Sequence, residues 1–195
     1  MASARSNSGG LEQRVAELEA QVEELSAILQ FVRVETEEIN GLTGPHWIIE
    51  GANVHVRSGS GNTFDSCGFR DPDFPNCEIL TGLGNLIAGY NERRFFGSRD
   101  SRALHFRTGS HNLVVGEFHT YTSFAGFVTG GSNAVTGDHA SVTGGTDNKA
   151  RGSFSSVSGG NSNVASGAAA SVSGGQDREA PGDFNWAAGN LLEPN

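Results

Sequence analysis

The side chains able to do chemistry in this 195-residue chain are few and poorly grouped. Six histidines, His46, His55, His105, His111, His119 and His139, are the obvious ligand or proton-transfer candidates. No two share the spacing that places both on one face of a helix or strand, although a threefold axis would turn one histidine per chain into three metal ligands. Structural or surface histidine is therefore the expected role. Asp71, Asp73, Asp100 and Asp138 are too scattered in sequence to act as the paired carboxylates of a glycoside hydrolase. Serine is abundant, but no nucleophile elbow surrounds any copy of it. The expectation is a chain with no catalytic residue, no metal and no cofactor.

Two smaller features remain. Cys67 and Cys77 flank the loop "GFRDPDFPN". A disulfide would staple that loop and imply an oxidising location, and two free thiols are the other reading. Near the end of the chain, Trp186 occupies the phase of Ser141, Ser156 and Ser171, with Phe184 just before it. Exposed aromatic rings there would suit stacking on a glycan, and a cap over a sheet edge is the structural alternative.

The elements that must carry these residues fall into two compositions. Residues 11–40 contain no glycine, whereas most of the chain's 28 glycines follow residue 40. "LEQRVAELEAQVEELSAILQFVRVETEEI" places Leu11, Leu18, Leu25, Val32 and Ile39 at one heptad position. Val15, Val22 and Leu29 fall at the other, and Thr36 ends that series. The spacing predicts a coiled coil over 11–40 after a disordered start (1–10), stopped at Asn40, Gly41 and Pro45. Val and Leu at these positions lean towards two strands. The net charge of −9 without a basic cluster argues against nucleic acid as a partner. No apolar run approaches the roughly 20 residues of a membrane span. The start "MASARSNSGG" shows no signal-peptide core.

From residue 133 the sequence stacks on itself. "NAVTGDHASVTGG", "NKARGSFSSVSGG" and "NVASGAAASVSGG" superimpose, keeping Asn133, Asn148 and Asn163 in phase. Val142, Val157 and Val172 keep the same phase, as do the Gly-Gly pairs. Two short alternating pieces per unit, N-x-[VA]-x-G and [AS]-S-V-[ST]-G, predict one coil of a parallel β-solenoid of about 15 residues per turn. Val135, Ala150 and Ala165 should point inward in the first piece, and Ala140, Ser155 and Ala170 with the three valines in the second. The asparagines should form a ladder through their side-chain amides. Earlier, "NLIAG" (85–89) and "NLVVG" (112–116) read as copies of the first strand separated by insertions. The resulting domains are a β-rich collar over 41–108 and a solenoid head over 109–195 with a C-terminal cap. "GGSNAVTGD" is similar in composition to calcium-binding nonapeptide coils, but its period and its Asp fail to recur.

"NLVVG", "NAVTG" and "NVASG", each followed by a Ser/Ala-rich strand and a glycine pair, resemble the head repeats of trimeric autotransporter adhesins of the YadA-like type. The resemblance covers roughly residues 80–190. It implies a parallel β-roll assembled as a homotrimer, with a coiled coil in the same fibre. The order here, coil before head, resembles instead a trimeric fibre or spike such as a phage tail fibre. Three strands are then favoured over the two suggested by the Val/Leu pattern. The implied function is structural or adhesive, at a cell surface or on an extracellular particle. Its partners would be a surface glycan or host particle, with no membrane insertion. A carbohydrate-binding tip is the alternative.

Overall fold

The structure, a computed structural model, describes residues 3–65, 80–92 and 106–189, with side chains from residue 10 onward. The chain forms two compact units, Met1–His55 and Val56–Asn195. Cys67, Cys77, His105, Asp71, Asp73 and Asp100 lie outside the described residues.

The first unit opens with α1 (Ser3–Leu29), which begins within the stretch expected to be disordered and ends well before residue 40. Val32, expected in the coiled-coil core, lies instead in β1 (Val32–Glu35). That strand pairs antiparallel with β2 (His46–Ile49) in the register Val32↔Ile49, Val34↔Trp47. The reason is local. From Phe31 the residues alternate with β-branched side chains at every second position, and "HWII" supplies a matching strand. Asn40 and Gly41 are not a helix stop but the centre of a tight turn, with φ of 52° and 84°. Ile39 and Leu42 exchange backbone hydrogen bonds of 3.0 and 2.9 Å across it. Asn-Gly with both φ positive is the turn that matches the twist of a hairpin. Thr36 and Ile39 therefore leave the heptad as well. Its remaining members, Leu11, Val15, Leu18, Val22, Leu25 and Leu29, sit on α1, each roughly half exposed.

The second unit is a β-solenoid of about five turns. Its strands are β3 (Leu86–Ala88), β4 (Leu113–Glu117), β5 (Thr120–Tyr121), β6 (Phe127–Gly131), β7 (Ala134–Val135), β8 (Ser141–Val142) and β9 (Lys149–Ala150). They continue through β10 (Ser156–Val157), β11 (Val164–Ala165), β12 (Ser171–Val172), β13 (Glu179–Ala180) and β14 (Trp186–Ala187). All pairings are parallel, and they form two sheets. One has seven strands in the order β14-β12-β10-β8-β6-β4-β3, and the other has five in the order β13-β11-β9-β7-β5. The expected inward residues are all buried: Val135, Ala150, Ala165, Ala140, Ser155, Ala170, Val142, Val157 and Val172.

The register corrects the alignment of the early segments. "NLIAG" and "NLVVG" belong to the second strand of the coil, because Leu86 pairs with Leu113, Leu113 with Phe127 and Phe127 with Ser141. The solenoid thus begins at Leu86 rather than residue 109. Asn112 and Asn133 stand at opposite corners of the coil, so their separation spans one and a half turns and needs no insertion. The first turn, from Leu86 to Leu113, advances by 27 residues and so holds an insertion, the next ones advance by 14 and the later ones by 15.

Both corners are closed by glycine. A Cβ on Gly152 would strike the Gly167 carbonyl and approach the Ala168 nitrogen to 2.9 Å. Gly137 and Gly167 meet the next coil in the same way. Coils one strand-spacing apart leave no room there for a side chain. Gly152→Ala should therefore lower stability by about 3 kcal/mol or more, at the upper end of overpacking costs. Denaturant titration of the two proteins measures the difference.

Candidate functional site

The polar interior comes first, because it sets what the surface presents. Asn133, Asn148 and Asn163 are fully buried at the corner before the five-stranded sheet. The Oδ1 of Asn133 accepts from the backbone N–H of Asn148 at 2.8 Å. The Oδ1 of Asn148 accepts from that of Asn163 at 2.9 Å, and the Oδ1 of Asn163 accepts from that of Arg178 at 2.9 Å. Each Nδ2 donates to carbonyls of its own and the next coil, as Asn163 does to Gly159 and Gly175 at 2.8 Å, while within its own coil Asn133 uses the Thr129 carbonyl at 2.6 Å. The ladder is thus side chain to backbone, not amide to amide as the repeat alone suggested. The reason is that the corner leaves inward backbone donors and acceptors that a side chain carrying both an acceptor and a donor can reach.

The same column continues upward through residues that sequence reasoning did not select. His119 takes the rung above Asn133, is fully buried, and lies in the coil 14 residues earlier. Its Nδ1 accepts from the Asn133 N–H at 3.3 Å, while its Nε2 contacts the Val115 carbonyl at 3.0 Å. Those two partners require the neutral ring with the proton on Nε2. Asn91 completes the top of the column, its Oδ1 accepting from the His119 N–H at 2.8 Å. Burial pushes the His119 imidazole below its ordinary value, outweighing the backbone contacts that favour the charged form, and Arg107 acts in the same direction as burial. A second, shorter column occupies the other corner: Asn85 Oδ1 accepts from the Asn112 N–H, and Asn112 Oδ1 from the Gly126 N–H, both at 2.8 Å. Phase at 14 residues, rather than 15, was the signal that would have found His119.

Residues 58–65 are tied to this end of the solenoid. His111 Nδ1 donates to the Thr63 carbonyl at 2.9 Å, and its Nε2 accepts from the Ser58 N–H at 3.1 Å. Asp65, 1% exposed, accepts from the Ser58 hydroxyl at 2.5 Å and from the Thr81 N–H and hydroxyl at 2.8 and 2.9 Å. Burial alone would raise its pKa, but hydrogen bonds from Ser110, Ser58, Thr81 and Ser60 win and hold the carboxyl far below the usual range. Phe64 packs edge-on against Phe124 with centroids 5.2 Å apart. Phe124 is edge-on to His139, and His139 stacks flat on Phe154 at 5.1 Å. The buried polar groups here hold residues 58–65 against the solenoid.

The expected surface residues are found apart. Trp186 occupies the outward rung in register with Ser171, 66% exposed, and its indole N–H donates to the Ser173 hydroxyl at 2.7 Å. Phe184 is 82% exposed on the corner, at φ 60°, in the column of His139, Phe154 and Ala169. His46 contacts the Leu42 carbonyl at 3.1 Å. Among the described residues no group of three His, Cys, Asp or Glu comes together. No described helix is long and apolar enough to cross a membrane.

The fold and its interior define a β-solenoid repeat protein carrying an N-terminal helix. The chain matches no protein-family model, no curated protein and no solved structure.

The lowered pKa of the His119 imidazole predicts that the solenoid loses stability in acid. A group whose pKa is lowered on folding contributes stability in full above its unfolded value, about 6.5 for histidine, and loses it as pH falls towards and through the lowered native value. Denaturation midpoints should accordingly fall with pH in that range. His119→Asn, which restores the ladder's own residue, should flatten the dependence whatever it does to the absolute midpoint.

Proposed function

We propose that this chain is a structural and adhesive, non-enzymatic homotrimer, a fibre or spike at a cell surface or on an extracellular particle. The observation that carries the reading is the heptad seam of α1. Leu11, Leu18, Val22 and Leu25 are 62, 55, 61 and 55% exposed, flanked by Glu19 and Glu23. A solitary helix of this length with an apolar seam has no means of hiding it, and wrapping with other copies removes that surface from water. The repeat's likeness to YadA-like adhesin heads favours three copies over two. Burial of several aliphatic side chains per helix, each worth about 1.5–3 kcal/mol when complete, is ample to drive association. Light scattering should give three times the chain mass of 20.4 kDa. Val15→Glu combined with Val22→Glu should reduce it, and a wild-type monomer would sink the reading.

A carbohydrate-binding tip is the second reading, favoured by the exposure of Trp186 and Phe184 on the last coil. Aromatic stacking on a sugar face uses such rings. On a glycan array, binding should be seen with the wild type and lost with Trp186→Ala. Retention of every signal in that variant would move recognition elsewhere.

A further inference from the structure

We infer that copies of this chain meet through the outer face of the seven-stranded sheet, while the five-stranded sheet faces solvent. The inference rests on the self-association proposed above and names the surface that it uses.

The two outer faces differ in charge. In the seven-stranded sheet the only charged strand residue is Glu117, which follows the left-handed Gly116 (φ 114°) at the end of β4. Its outward rungs read Leu86, Leu113, Phe127, Ser141, Ser156, Ser171 and Trp186. Leu86, Leu113 and Val115 form an apolar end, 56, 37 and 37% exposed. The five-stranded sheet carries Lys149 and Glu179 on outward rungs, and Arg151 beside them, all exposed.

Symmetry gives this difference its weight. Residues close to a rotation axis meet their own copies, so the five-stranded face turned towards that axis would bring Lys149, Arg151 or Glu179 against like charges. A chain of net charge −9 also repels its copies generally, and a face with Glu117 as its one charged strand residue is where that repulsion is least.

The hydroxyls of the seven-stranded face are largely paired within it. Thr129 donates to the Thr143 carbonyl at 3.2 Å, and Thr143 to the Ser158 carbonyl at 2.9 Å. Ser156 and Ser171 share a hydrogen bond at 3.2 Å. Covering polar groups that already have partners avoids most of the desolvation penalty. Small serines also let a neighbouring sheet approach closely.

The test uses the full chain with the photo-cross-linker p-benzoylphenylalanine replacing either Ser158 or Arg151, with light scattering on the same samples. Irradiation should give covalent species at two and three times the chain mass from position 158 and none from position 151. Cross-linking from position 151 in an assembled sample would overturn the face and leave the assembly standing. An assembled sample that cross-links from neither position would also overturn it, since the solenoids then stand apart. A monomer would overturn the assembly and the face together. Two lysine substitutions on neighbouring strands check the outcome without a bulky probe. Ser156→Lys should lower the melting temperature more than Val164→Lys, and the reverse order would overturn the inference.

Discussion

Everything in the second unit follows from stacking one coil directly on the next. Parallel strands in register sit about 4.8 Å apart, and backbone hydrogen bonds carry that spacing into the corners, as from the N–H groups of Gly131, Thr146 and Asn161 to the carbonyls of Gly145, Gly160 and Gly175. At the asparagine corner the backbone of one coil touches the backbone of the next, which is why a Cβ at Gly145 or Gly160 has nowhere to go. The corner also leaves backbone N–H and C=O groups facing inward. Asn133, Asn148 and Asn163 answer them by bonding backward to their own coil's turn and forward to the next coil's amide. Glycine gives the space and asparagine fills the bonding deficit. Neither works without the other.

The interior is consequently thin. Its apolar members are mostly valine and alanine, with Tyr121 the largest in the cluster. So little apolar surface leaves much of the structure's specificity to hydrogen bonding, and the polar members must be satisfied. Among the described residues Ser155 and Asn91 are exceptions: the Ser155 hydroxyl lies buried between Ala140 and Ala170 on the same column, and the Asn91 Nδ2 is buried at the top of the ladder, neither with a hydrogen-bond partner. His119 shows how the ladder accepts a different residue provided its two contacts are kept, at the cost of requiring an uncharged ring. The outward rungs are free of these demands, so charge and size can vary there, and it is there that the two faces of the solenoid diverge.

The sequence disclosed the repeat, the inward columns and the solenoid because strict phase admits few structures. It misplaced "NLVVG" because the same letters, an asparagine followed by alternating apolar residues and glycine, occur at both corners of the coil. Which corner Asn112 occupies depends on the strand it lies beside, and that is a fact of pairing rather than of local pattern. The heptad was legible as far as Leu29. Beyond it, Val32 fits a heptad position and a strand equally well, and the hairpin with His46–Ile49 decides the matter through partners that a helix would not use.

By itself the sequence determined the period, the burial of Val142, Val157 and Val172, and the apolar seam from Leu11 to Leu29, since each follows from spacing along the chain. Tertiary structure alone decided the end of the helix, the start of the solenoid at Leu86, the route of the asparagine hydrogen bonds and the recruitment of Asn91 and His119 to the ladder. Those depend on which backbone groups are left unpaired after the strands have met. That remainder is set by contacts between residues distant in sequence, and no local pattern contains it.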